Sequence, residues 1–127
     1  MAKIFLTLLI FFGSCLSADE LMAAIKSEYR DPENIIRDEY RNPYETLTFF
    51  GIEPSMKVVE LSPGGGWYTE ILATYLNNSG ELIAAHFDEN SNNNYLKKIR
   101  KNFEKKMDSN SIYEPVSYTH LTLPTKA

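Results

Sequence analysis

The stretch Val58–Leu72, VVELSPGGGWYTEIL, decides how the chain is read. A short apolar run ends on a carboxylate, Glu60, and three consecutive glycines follow, Gly64, Gly65 and Gly66. Tyr68, Ile71, Leu72, Tyr75 and Leu76 then recur at spacings of three and four, which gathers apolar side chains on one face of a helix. KVVEL, residues 57–61, is β-branched and of strand length. The order is therefore strand, tight turn, helix. Glycines at such a turn let a ligand approach the backbone with no Cβ atom in the way. The start of the following helix offers unpaired N–H groups to an anionic group. Two nucleotide readings fail on the residues themselves. A phosphate-cradling loop needs Lys and then Ser or Thr after its last glycine, where this chain has Trp67 and Tyr68; the dinucleotide pattern needs glycine where Trp67 stands.

On the amino-terminal side the chain is punctuated by helix starts. Leu21, Ala24, Ile25 and Ser27 permit a short amphipathic helix. In DPEN, Asp31 serves as cap and Pro32 as first helical residue, with Ile35, Ile36 and Tyr40 expected on one side. NPYETLTFFG repeats the pattern: Asn42 caps, Pro43 starts, Glu45 sits three residues after the cap, and Gly51 ends the helix. On the carboxyl-terminal side ELIAAHF, residues 81–87, is a continuous apolar run, as expected of a strand covered on both faces. A polar loop, DENSNNN, leads to a last helix with Leu96, Ile99, Phe103 and Met107 inward. Lys97, Lys98, Arg100, Lys101, Lys105 and Lys106 on its other faces are expected to be solvated. The polar loop fails as a calcium site, because Asn93 and Ile99 stand where glycine and a terminal Glu are needed. Strands alternating with helices imply a parallel sheet, so the fold class is α/β, preceded by helices.

The 127 residues suffice for one modest domain, and a net charge of −4 supplies no field to attract nucleic acid. Residues 1–18, MAKIFLTLLIFFGSCLSA, have a cationic start, an apolar run from Ile4 to Phe12 and small residues after it, the layout of a signal peptide. The run is too short to span a bilayer, which takes about 20 residues. Cleavage after Ala18 is the expected processing. FGSC, residues 12–15, also resembles a lipoprotein box that would anchor the chain through Cys15, its only cysteine. Either reading implies export, and the periplasm of a Gram-negative bacterium is the expected destination.

Counted from Glu60, the turn reads E-x-S-x-G-x-G through Ser62, Gly64 and Gly66. This resembles the first motif of the class I S-adenosylmethionine-dependent methyltransferases, with Ser62 in place of their first glycine. RDEYRNPYETLTFFGIEPSMKVVELSPGGGWYTEILATYL is similar, more narrowly, to a family of exported bacterial methyltransferases. Arg41, Pro43, Glu45, Leu47, Phe49 and Gly51 match its R-x-P-x-E-x-L-x-F-x-G pattern, and PGGGWYTEIL stands almost unchanged. The resemblance runs from Arg37 to Asp88 and more loosely to Pro115. It implies the first part of a Rossmann-like methyltransferase domain over residues 57–115, after a helical segment at 19–56. It implies S-adenosylmethionine as cofactor, with Glu60 on the amino group and Ser62, Gly64, Gly65 and Gly66 around the methionine end. Trp67 and Tyr68 could flank the sulfonium through their π-faces, although Tyr68 also fits the helix core. The strand-end position that binds the ribose is held by His86, with Asp88 two residues on, and Asp88 is the better placed to reach it. Arg37, Asp38 and Arg41 are candidates to cover the cofactor or substrate. No metal is implied, and neither the acceptor nor a catalytic residue is named by these motifs. Because S-adenosylmethionine is made in the cytoplasm, an exported binding or stress-related module that keeps the fold without the reaction is the alternative.

VSYTHLTLPT, residues 116–125, resembles the translation of a common sequencing-library adapter, so residues 116–127 are read as a non-native tail and set aside from the fold. Only two strands, or the start of a third, would then remain. The sheet is expected to be incomplete and this chain inactive, with activity belonging to a longer parent.

Overall fold

The computed structural model describes residues 13–121. Helix α1, Gly13–Ile25, is followed by three short helices, α2 at Pro32–Ile36, α3 at Asp38–Arg41 and α4 at Pro43–Phe49. Strand β1, Lys57–Leu61, leads into helix α5, Trp67–Leu76; strand β2, Glu81–His86, leads into α6, Asn94–Met107. A 3₁₀ turn at Ser111–Tyr113 precedes strand β3, Val116–His120. The strands form one open parallel sheet in the order β1-β2-β3, with Glu60 beside Ala84 and His86 beside His120. The architecture is mixed α/β and compatible with part of a Rossmann-like fold. Residues 1–12, most of the expected signal peptide, lie outside the described residues, as do 122–127.

The helix boundaries follow local chemistry. The Asp31 side chain accepts the Glu33 amide at 2.9 Å, and Pro32 occupies the first turn of α2, where its missing N–H costs nothing. Helix α4 ends in a Schellman arrangement: the Gly51 amide donates to Thr48 O at 3.0 Å and the Ile52 amide to Leu47 O at 3.1 Å. Gly51 supplies the left-handed φ of 65° that this arrangement needs. Asn42 precedes α4 but makes no side-chain cap bond; its own backbone is left-handed, at φ 44°.

One core joins the helical segment to the sheet. Leu21, Ala24, Ile25 and Leu47 pack in the same buried cluster as Ile71, Leu72, Leu82, Ala84, Phe103 and Val116. Helix α5 lies at its centre and is buried nearly all round, wider than the single apolar face its spacing predicts. Ile35, Ile36 and Tyr40, expected together on one packed side, are exposed instead. Helices α2 and α3 are attached by polar contacts, and contribute no buried residue to the core.

Two expectations are corrected here. Residues 116–120, set aside as tail, form β3 along β2, and Leu121 continues the ladder by donating to His86 O at 2.9 Å. Ladder bonds use main-chain groups that any sequence carries, so pairing is indifferent to where the stretch came from. Only Val116 of β3 is buried. The basic face of α6 is likewise not all solvated. Arg100 is buried, donating to Phe87 O at 2.7 Å and to Glu104 Oε1 at 2.7 Å, and Lys106 reaches inward to Glu70.

Among the described residues β1 is paired on one edge only, to β2. Its side chains alternate, Val58 and Glu60 toward the helices, Val59 and Leu61 exposed at 50% and 67%. No described helix is long and apolar enough to cross a membrane.

Candidate functional site

The turn after β1 is built on left-handed backbone. Ser62, Gly64 and Gly66 have φ of 53°, 59° and 83°. Ser62 stands where the sequence motif has glycine, and the backbone keeps the glycine conformation there; for a residue with a Cβ this costs about 1–2 kcal/mol. The Gly66 amide closes the turn onto Pro63 O at 2.9 Å. A Cβ on Gly66 would come within 3.2 Å of Phe103 Cε2, so α6 packs directly against the glycine.

The turn is held from the protein side through its carbonyls. His86 Nε2 lies 3.2 Å from Gly64 O, and Lys106 Nζ donates to Gly65 O at 3.3 Å. In a trans peptide the next N–H points opposite to the carbonyl. The Gly65 amide is therefore directed away from His86. The amides of Gly64 and Gly65 have no hydrogen-bond partner among the described residues.

Above the turn is a cavity of about 380 Å³, within the range of small-molecule sites. Glu60, Leu61, Ser62, Pro63, Gly64, Gly65, Trp67 and Tyr68 line one side; Asn34, Arg37 and Arg41 line the other. The structure thus brings Glu60, Ser62, Gly64, Gly65 and Trp67 together. Gly66 lies beneath, against Phe103. His86 is fully buried, its Nδ1 accepting the Phe87 amide at 2.7 Å and its Nε2 facing Gly64 O, so both ring nitrogens are engaged within the protein. Asp88 caps its own loop, accepting the Asn90 amide at 2.8 Å, and is not among the cavity residues. Nothing from the end of β2 therefore reaches the cavity.

Glu60 is the acidic group of the site. Its Oε2 accepts the Thr69 hydroxyl at 2.6 Å from the first turn of α5. Burial pushes its pKa up to about 7, while the hydroxyl and amide of Thr69 pull the other way. Trp67 is buried in the core, with the Arg41 guanidinium over its ring at 4.8 Å and Tyr68 edge-on at 4.5 Å. Its Nε1 donates to Asn34 O at 2.8 Å.

A buried ionic cluster sits behind this wall. Glu70, fully buried, accepts Asn34 Nδ2 at 2.9 Å and pairs with Lys106. Its Oε2 faces Arg30 Nε at 3.6 Å, too long for a hydrogen bond. Arg30 spends its other nitrogens on Asp38, at 2.6 and 2.8 Å, and on Ile25 O at 2.6 Å. Asn34 is thereby tied twice to α5, through its side chain to Glu70 and through its carbonyl to Trp67. The sequence carried one sign of this, a carboxylate inside the otherwise apolar run WYTEILATYL; its partners are distant in the chain.

No protein-family model, curated protein or solved structure matches this chain.

Proposed function

We propose that the chain is the donor-binding part of an S-adenosylmethionine-dependent methyltransferase, whose acceptor side belongs to a longer parent. One observation carries the reading: a carboxylate at the end of β1 beside a turn with left-handed backbone at Ser62, Gly64 and Gly66, lining a cavity of small-molecule size. The residues fit the methionine end of that cofactor. Glu60 would hold its ammonium, and the unpartnered amides of Gly64 and Gly65 border the same space. Among the described residues the expected ribose partners do not reach the cavity, since His86 is engaged elsewhere and Asp88 lies outside it.

The cofactor, when bound, supplies an electrophilic methyl group on a sulfonium. The chain's own share is to bind and orient it, and holding donor and acceptor in line can supply about 7–11 kcal/mol of a displacement barrier. No residue here is assigned to activating the acceptor, so binding rather than turnover is expected of this chain.

The second reading, an exported binding or stress-related module without methyl transfer, is favoured by the missing ribose partner. Calorimetry with S-adenosylmethionine and its demethylated product separates the two. Saturable heat with both supports the methyltransferase reading; no heat with either supports the binding module.

A further inference from the structure

Arg37 and Arg41 line the cavity opposite the glycine turn, and neither lies within ion-pair distance of an acidic group among the described residues. In the sequence RDEYR, Asp38 is the obvious internal partner. The structure removes it: both Asp38 oxygens are taken by Arg30. The acid inside the cavity is not their partner either. Burial raises the pKa of Glu60 against the opposing hydrogen bonds from Thr69, and no guanidinium among the described residues lies within ion-pair distance of it. A carboxyl with a pKa near 7 is only about half ionised at neutral pH, so the two arginines outweigh it.

Their placement is fixed by the buried cluster. Asn34, one turn before Arg37, is anchored to Glu70 and Trp67, and the Asp38 beside Arg37 is anchored to Arg30. Arg41 rests on the Trp67 ring. Arg41, held in this way, loses little freedom when a ligand arrives, and the anchored neighbours of Arg37 fix where its backbone lies at the cavity. The planar guanidinium fork matches a carboxylate, which it can grip through two parallel hydrogen bonds.

We propose that Arg37 and Arg41 form a carboxylate subsite of the cavity, gripping a carboxylate of the ligand that binds against the glycine turn. The inference rests on the methyltransferase reading and deepens it. Two sources offer that chemistry, the amino-acid end of the cofactor itself and a carboxylate on a second small molecule, the acceptor.

The test uses the whole chain and two nucleosides, S-adenosylhomocysteine and its analogue lacking the carboxylate, titrated by calorimetry. Wild type is compared with the Arg37→Ala/Arg41→Ala variant, and with Arg37→Lys/Arg41→Lys to keep the charge. Both arginines are exposed, and a thermal melt checks that each variant folds. If the carboxylate is the cofactor's, the alanine variant loses at least about tenfold in affinity for S-adenosylhomocysteine, the worth of one charged hydrogen bond, and nothing for the analogue. The lysine variant falls between. If it belongs to a second ligand, both nucleosides bind every variant alike, and malonate binds saturably to nucleoside-loaded wild type but not to the loaded alanine variant. Equal nucleoside binding throughout, with no malonate binding, overturns the subsite and leaves the methyltransferase reading standing. Failure of wild type to bind either nucleoside overturns both.

Discussion

His86, at the end of β2, is bonded to the turn that follows β1: its Nε2 lies 3.2 Å from Gly64 O while its Nδ1 accepts the Phe87 amide at 2.7 Å. A nitrogen that accepts carries no proton, so the ring is neutral with its hydrogen on Nε2, donating to Gly64. Protonation would turn Nδ1 into a donor facing a donor. Burial works in the same direction, holding the His86 pKa below 6.5, with the Arg100 charge adding to it against Gly64 and Glu104.

Glu60 and His86 therefore give stability opposite dependences on pH. The folded Glu60 carboxyl titrates near 7 and the unfolded one near 4.5, so the folded state holds a proton that the unfolded state has released. Stability from this group is complete below about 4.5 and is lost as pH rises through 7. For His86 the unfolded ring protonates first, and stability falls as pH drops below about 6.5. Glu60→Gln should raise the urea midpoint at pH 8 and leave it unchanged at pH 5. The gain is on the order of 2 kcal/mol, less than the full shift converts to because the carboxyl borders the cavity. Equal midpoints at pH 8 would show that the carboxyl is not burdened by burial.

Arg30 should be among the costliest single positions. Truncation to Ala leaves Asp38 without its partner, takes one of two cations from beside buried Glu70, and removes a guanidinium that joins α1, α3 and α5, for an expected loss of about 3–5 kcal/mol by chemical denaturation. The ion pair itself need not favour folding, because its Nε and Oε2 make no hydrogen bond. Arg30→Met combined with Glu70→Leu is accordingly expected to recover part of the loss, and a double variant less stable than Arg30→Ala would refute that view.

The turn offers a pair of opposed substitutions. Ser62→Gly relieves a left-handed backbone at φ 53° and should stabilise by up to about 1 kcal/mol, after the extra freedom of glycine in the unfolded chain is subtracted. Gly66→Ala meets both an unfavourable φ of 83° and the Phe103 ring, and should cost more than about 1 kcal/mol. Thermal melts of the two variants check the signs; a stabilised Gly66→Ala would mean that Phe103 yields freely.

What the sequence made legible was local. Asp31, Pro32, Pro43 and Gly51 punctuate helices through bonds to their near neighbours, and KVVEL and ELIAAH carry strand composition within one window. The turn after Glu60 is legible for the same reason, since its glycines answer to φ. The partners of Glu70 are not, because Arg30, Asn34 and Lys106 are separated from it by dozens of residues and look like ordinary surface polar residues. Ile35, Ile36 and Tyr40 misled the periodicity argument: they fall on two separate helices, α2 and α3, each little more than one turn and too short to require an apolar face. Strand β3 was not expected because residues 116–127 were set aside as a tail, and its pairing with β2, which asks little of its side chains beyond Val116, does not depend on where the stretch came from.

The free edge of β1 has a consequence for how the chain behaves in solution. Val59 and Leu61 present apolar side chains beside main-chain donors and acceptors unpaired among the described residues, and Phe49 and Phe50 are exposed as well, at 85% and 67%. An open edge of this kind invites pairing with another strand, and Lys on it is the usual deterrent. Light scattering of the purified chain should show association that grows with concentration. Val59→Lys and Leu61→Lys together should suppress it while changing the melting temperature little, because neither side chain lies in the core cluster. Association undiminished by the two lysines would move the sticky surface elsewhere, with the Phe49–Phe50 corner, whose rings sit edge-on at 5.7 Å, the next to test by substitution.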